Sequence, residues 1–213
     1  MLKKKKKNGV LIALGILLLS GLSWLLAQSS AVKKDYVIKP TRLAAVSFQD
    51  SFWQKRIDAD VNVTIPHVFK QLEQTGRLKN FELASPQGQG DFCSNYPFDD
   101  SDVYKAIEAA SYSLMLHPDP ELVKYLDKVI SKIAAAQEKD GYIYTARAIK
   151  DKGGKIPYKD WVASKRWENE ESSHELYNLG HLYEAAVAHY QATGKKNLLN
   201  IALKSAELVL KEF

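Results

Sequence analysis

Residues 108–122 read EAASYSLMLHPDPEL and residues 184–198 read EAAVAHYQATGKKNL, one pattern displaced by 76 positions without a gap. Glu108-Ala109-Ala110 recurs as Glu184-Ala185-Ala186, Leu122 as Leu198, Lys128 as Lys204, and Ile133 as the similar Val209. Each copy predicts a helix, a short turn and a second helix. In the first copy the turn is His117-Pro118-Asp119-Pro120, where Asp119 suits an N-cap and Pro120 the first helical position. In the second it is Thr193-Gly194, with a glycine free to take the left-handed conformation that ends a helix. Leu122, Leu126, Val129, Ile130 and Ile133 form one apolar stripe. A hairpin cannot bury such a stripe alone, so the two copies must stack, and the fold is all-α.

Stacked hairpins make either an open solenoid or a closed toroid of paired helices with a site at one end. The connections favour the toroid. Solenoid links are short, whereas residues 140–173 form a long segment carrying Tyr142, Tyr144, Tyr158, Trp161 and Trp167. That many aromatics predict a packed or ligand-facing loop. Upstream, helical spacing runs through Trp53, Ile57, Val61, Val68, Phe69 and Leu72 to Thr75-Gly76, and Pro66 must kink or split it. Residues 81–100 hold Pro86, Gly88, Gly90 and Pro97 and read as loop. Residues 32–50, with mixed polarity and Pro40, read as a linker or edge strand.

The chain has 213 residues and a formal net charge of +5, from 30 Lys plus Arg against 25 Asp plus Glu. The surplus equals the run Lys3 to Lys7, and no acidic residue occurs before Asp35, so the remainder is neutral. A nucleic-acid partner is therefore disfavoured, because its recognition needs basic side chains on the folded surface. After the lysines, residues 9–27 are uncharged and lead to Gln28-Ser29-Ser30-Ala31, the pattern of an export leader. The expectation is cleavage near Ala27 or Ala31, with an uncleaved membrane anchor as the alternative. Either course keeps the lysines cytoplasmic and sends the rest to a periplasmic or extracellular location. Only through that leader would the chain touch a membrane. Cys93 is the single cysteine, so no intrachain disulfide exists, and a lone thiol is expected to be a buried small hydrophobe.

The richest chemistry lies in residues 172–182, SSHELYNLGHL. Ser172 with Glu175 predicts a capping box at a helix start. His174 and His181, seven apart, share one helix face, a spacing that is not the i, i+4 of a metal pair, and no metal set is expected. His174 reads as a structural histidine or as a hydrogen-bonding contact to a polar ligand. Asp100 or Ser101 predicts the N-cap of the helix running through Glu108. No phosphate-binding glycine loop and no serine-nucleophile motif occurs.

Ser51-Phe52-Trp53 with Arg56, Ile65-Pro66, Asp100-Ser101-Asp102-Val103-Tyr104-Lys105, His117-Pro118-Asp119-Pro120-Glu121-Leu122, Asp140-Gly141-Tyr142, Ser173-His174-Glu175, Gly180-His181 and both Glu-Ala-Ala repeats resemble glycoside hydrolase family 127. The resemblance covers residues 46–213, after a leader at 1–31 and a lead-in at 32–45. It implies the N-terminal part, about five helices, of an (α/α)6 toroid, and hydrolysis of terminal β-L-arabinofuranosyl residues from a glycan or glycoconjugate. It also implies a cysteine nucleophile held on zinc and a glutamate acid/base, which in the family lie beyond the matched part. No catalytic residue and no zinc ligand of that centre is thus expected in this chain, which on this reading is truncated, inactive alone and poorly stable. His174 is similar to the family's substrate-binding histidine, and Asp102 and His181 match family positions without an assigned contact. A helical-repeat module that binds a glycan or protein without catalysis is the alternative.

Overall fold

A computed structural model describes residues 38–213, and the compact unit is Thr41–Phe213. The leader expected at 1–31, and residues 32–37 of the lead-in, lie outside the described residues. Among the described residues no helix is long and apolar enough to cross a membrane, and none forms a strand. Residues 38–50 hold only a 3₁₀ turn, Leu43–Ala45, so the edge-strand expectation fails over that stretch. The helices are α1 (Trp53–Ala59), α2 (Ile65–Gln74), α3 (Arg77–Ala84), α4 (Asp100–Leu116), α5 (Pro120–Ala136), α6 (Thr145–Asp151), α7 (Glu170–Ser173), α8 (Glu175–Thr193) and α9 (Asn197–Glu212). Five of them, α2, α4, α5, α8 and α9, reach ten residues or more.

The predicted repeat is the core of the fold. α4 and α8 make the most extensive helix contact in the molecule, α5 packs on α9, and the turns between partners follow the expected chemistry. Asp119 Oδ1 accepts hydrogen bonds from the Glu121 and Leu122 amides at 2.9 and 3.2 Å ahead of Pro120. Gly194 closes α8 at φ +71°, a conformation that costs a residue with a Cβ about 1–2 kcal/mol. The α5 stripe is buried as expected at Leu126, Val129, Ile130 and Ile133, with Leu122 half-buried. Each such side chain contributes about 1.5–3 kcal/mol on leaving water.

A third hairpin, α2 and α3, precedes the two repeats and continues both layers. α2, α4 and α8 form one row, and α3, α5 and α9 the other. α3 corrects the loop reading of residues 81–100, whose first four residues are helical. Its sequence, RLKNFELA, hides the helix because Leu78, Asn80, Phe81, Leu83 and Ala84 are all buried, leaving no one-sided stripe to detect. α6 likewise interrupts the long segment and packs on α3.

Pro66 splits its element as predicted. Between α1 and α2, residues 60–64 widen into one π-helical turn in which the Ile65 amide reaches back to the Asp60 carbonyl. Proline supplies no amide hydrogen, and the widened turn absorbs the missing bond. α1 buries none of its residues, and Phe52 and Trp53 are exposed although the periodicity places Trp53 on an apolar face. Their rings pack edge-on at 5.1 Å, and the Arg56 guanidinium covers Phe52 at 3.6 Å. Cys93 is exposed, not buried, contrary to the sequence expectation. Its amide donates to Asn80 Oδ1 at 2.8 Å, which fixes the backbone and turns the thiol outward.

Candidate active site

His174 is the joint between α7 and α8. It holds φ +55°, ψ +36°, a left-handed conformation unusual for a residue with a side chain. The joint is over-determined from behind. Glu170 Oε2 accepts from the Leu176 amide at 2.9 Å, and this bond does the N-terminal capping that the sequence assigns to Ser172 and Glu175. The capping-box reading is therefore wrong in both partners. Glu175 is buried, and its carboxylate accepts from the Tyr142 hydroxyl and from the Trp167 amide at 3.2 Å. The Tyr142 hydroxyl in turn accepts from Arg147 Nε at 3.0 Å. The rest of that guanidinium donates to the carbonyls of Ala163, Ser164 and Lys165. One buried chain thus runs from the aromatic loop through Arg147, Tyr142 and Glu175 to the backbone beside His174. Burial, with the Glu175 charge next, pushes the Tyr142 phenol well up, so it stays a proton donor to Glu175.

The His174 ring is tied at one side. Nδ1 stands 3.2 Å from the Glu170 carbonyl oxygen, which can only accept, so Nδ1 carries the hydrogen and Nε2 of the neutral ring is an acceptor. Nε2 has no hydrogen-bond partner among the described residues. The ring is half-buried between Phe98, at 4.6 Å between centroids, and Tyr177, at 5.9 Å.

The two ends of this contact extend into a ribbon. Down α8, Tyr177 meets His181 edge-on at 4.6 Å, so His174 and His181 do share a face, with a tyrosine between them. Lys105 of α4 donates to the Tyr177 hydroxyl at 2.7 Å and lies over its ring. In the other direction Phe98 leads to Trp161, Tyr96 and Tyr158. Tyr96 and Phe98 belong to the stretch read only as loop, and nothing in one sequence says that it meets the 140–173 segment. The signal was the aromatic content of both loops.

The seven-residue spacing of the histidines also conceals two carboxylates. The repeated Glu108 and Glu184 converge on His181, and the ligand atoms of the three lie within 4.8 Å of one another. Nitrogen and carboxylate donors suit a divalent cation, yet each already has a local contact. The Tyr112 hydroxyl donates to Glu108 at 3.1 Å, and His181 Nδ1 stands 3.3 Å from Glu184 Oε2.

Asp102 is not brought to this ribbon. Arg77 Nε donates to its carboxylate at 2.7 Å while the same guanidinium pairs with Asp99 at 3.2 Å. Asp102 thus lines a groove between α2 and α4 with His67, Gln71 and Arg77. Asp100 and Ser101 do not cap α4 either. Asp99 precedes the helix, and its carboxylate accepts from the Asn95 and Tyr96 amides. Asp100 is buried and spans to α6, where it accepts from the Thr145 amide at 2.8 Å and hydroxyl at 2.5 Å, so it caps α6 from a distance. Burial outweighs those two bonds and raises its pKa to about 7.

Residues 45–213 match the family described as β-L-arabinofuranosidase, GH127 catalytic domain. A non-reducing end β-L-arabinofuranosidase of Bifidobacterium longum subsp. longum is 33% identical, over 76% of this chain and 26% of the relative. Among solved structures, the GH127 β-arabinofuranosidase BT3674 is 47% identical with a TM-score of 0.74, covering 82% of this chain and 27% of that one. Ara127N, a GH127 β-L-arabinofuranosidase from Geobacillus stearothermophilus T6, is 37% identical with a TM-score of 0.69, over 77% and 25% of the two chains. The chain spans about a quarter of the length of these relatives. The all-helical, two-layered stack, the repeat that builds it and the match over residues 45–213 together place the chain in the GH127 β-L-arabinofuranosidase catalytic-domain family.

Proposed function

We propose that this chain is the sugar-binding N-terminal part of an exported glycoside hydrolase that acts on terminal β-L-arabinofuranosyl residues of a glycan or glycoconjugate. The family match supports a hydrolase over a non-catalytic helical-repeat module. The observation that carries the reading at the level of residues is His174. Its ring is held at a strained joint, one nitrogen is engaged, and Nε2 is left as an acceptor beside Phe98 and Tyr177. Such a nitrogen takes a hydrogen bond from a sugar hydroxyl, while the flanking rings cover the apolar face of the sugar. His174 binds and orients; it is not assigned a proton transfer at the scissile bond. His181 continues the same face, whereas Asp102 pairs with Arg77 in the groove between α2 and α4 and is given no sugar contact.

The zinc-held cysteine of the family does not fit the residues of this chain. Cys93 is exposed and belongs to no group of metal-ligating side chains among the described residues. The nucleophile and acid/base of the family are placed on none of these side chains. Export rests on the Lys3–Lys7 run and the uncharged residues 9–27.

Calorimetric titration with methyl β-L-arabinofuranoside tests the reading. His174→Ala is expected to weaken binding about tenfold, the loss of one buried hydrogen bond of about 1.4 kcal/mol. Unchanged affinity in a variant with a native circular-dichroism spectrum would remove His174 from the site.

A further inference from the structure

We infer that the exposed end of the aromatic ribbon, formed by Tyr96, Tyr158 and Trp161, is a second carbohydrate subsite. It receives the neutral sugar ring linked to the one held at His174. This inference rests on the His174 reading and extends it from a monosaccharide to an oligosaccharide.

The geometry of the rings is the first argument. Tyr158 and Trp161 stack at 4.3 Å and 15°. Tyr96 lies parallel to Tyr158 within 6° at 5.6 Å, and Phe98 parallel to Trp161 within 4° at 6.3 Å. Parallel rings whose centroids are more than 5 Å apart are displaced sideways, so each leaves part of a face uncovered. Tyr96 and Tyr158 are 41% and 50% exposed. The result is a stepped aromatic surface in water, and contiguous exposed apolar area of this kind marks a binding surface. None of its rings carries a charge, and Tyr96 and Tyr158 each bring a phenol hydroxyl. A sugar ring matches it, with C–H groups for the faces and hydroxyls for the phenols.

Rigidity is the second argument. Tyr158 holds φ +47°, a left-handed conformation rare for an aromatic residue, closed by the Trp161 amide donating to the Tyr158 carbonyl at 2.8 Å. The two loops that supply the rings are tied to each other, the Phe92 amide donating to the Lys155 carbonyl and the Lys155 amide to Asp91, each at 2.9 Å. Behind them Arg147 fixes the carbonyls of residues 163–165. The surface is therefore preorganised, and little ordering cost falls on the ligand. Continuity is the third. Phe98 touches both the His174 ring and the slab, so a chain of sugars seated on one end at His174 continues onto Trp161 and Tyr158.

The test compares two neutral probes on the purified chain by calorimetry, methyl β-L-arabinofuranoside and a linear arabinofuranosyl trisaccharide. The trisaccharide is expected to bind about tenfold more tightly than the monosaccharide, a gain of the size that stacked aromatic contacts supply. The Tyr96→Ala/Tyr158→Ala double variant is expected to lose that preference and keep its affinity for the monosaccharide, whereas Tyr158→Phe, which keeps the ring, retains the preference. Equal affinity for both probes overturns the subsite and leaves the His174 reading standing. A double variant with native circular dichroism and an unchanged trisaccharide preference also overturns it. Binding of neither probe overturns the His174 reading and the subsite with it.

Discussion

Replacing Asp100 by Asn tests whether the buried tie between α4 and α6 is neutral or charged. Asp100 is 2% exposed, and its carboxyl accepts from the Thr145 amide and hydroxyl. Those donors favour the charged form, burial opposes it, and the charges of Asp99 and Asp102 add to burial, for a folded pKa of about 7 against an ordinary 3.8. Between these values the folded chain keeps a proton that the unfolded chain releases. Stability from this group is therefore complete below pH 4, falls as pH rises toward 7, and is level above it. Roughly three pKa steps at about 1.4 kcal/mol each bound the loss at about 4 kcal/mol. Asn is neutral throughout and nearly isosteric. Its oxygen accepts from the Thr145 amide, and its NH₂ donates to the Thr145 hydroxyl. Urea unfolding by circular dichroism at pH 4, 5, 6, 7 and 8 should then give parent and variant close at pH 4, with Asp100→Asn ahead by about 1.5 kcal/mol at pH 5. At pH 8 Asp100→Asn should be the more stable by about 4 kcal/mol. All other titrations cancel in the difference. Parallel curves, or a variant that is weaker at pH 8, would show that the Thr145 donors hold a charged carboxylate and that burial does not dominate.

Two further outcomes follow from buried groups elsewhere. His189 is fully buried with neither ring nitrogen bonded, and burial lowers its pKa. As pH falls below the unfolded value near 6.5 the unfolded chain gains a proton the folded chain refuses, so stability is lost on the acid side. His189→Leu should be more stabilising at pH 5 than at pH 8 in urea unfolding, and an equal gain at both would refute the depressed pKa. Gly141 sits at φ +105°, where an added Cβ would stand 2.3 Å from the Lys204 carbonyl oxygen of α9. Gly141→Ala should cost about 3 kcal/mol and lower the thermal midpoint by roughly 6–12 °C; an unchanged midpoint would show that α9 does not seat against this turn.

What was legible in the sequence divides by how the signal is carried. The repeat at offset 76 and the α5 stripe were readable because a helix with one buried face writes its period into the chain. α3 and α6 were not, since helices enclosed on several sides carry no stripe, and eight or seven residues give periodicity too few turns to register. The candidate site shows the same division. His174 and His181 could be placed on one face from their spacing alone, but their neighbours could not. Phe98 and Trp161 are more than sixty positions apart and meet only because the α4 entry and the loop before α7 fold onto the same end of the stack. The capping assignments failed for a related reason. Ser172, Glu175, Asp100 and Ser101 all carry side chains that suit a helix start, and local preference cannot see a competing partner across the fold. Glu175 is drawn to Tyr142 and Asp100 to Thr145, 33 and 45 positions away, because both carboxylates are buried and must find donors wherever the packing supplies them. Acidic residues beside a helix start that end up buried in this way are the ones that link separate elements, and here both links converge behind His174. The Asp100 tie sets α6 against α4, and the Tyr144 hydroxyl, from the residue before α6, donates to the Ser173 carbonyl at 2.9 Å. The left-handed joint at His174 is thus held by long-range bonds rather than by its own sequence, which is why a capping rule misread it.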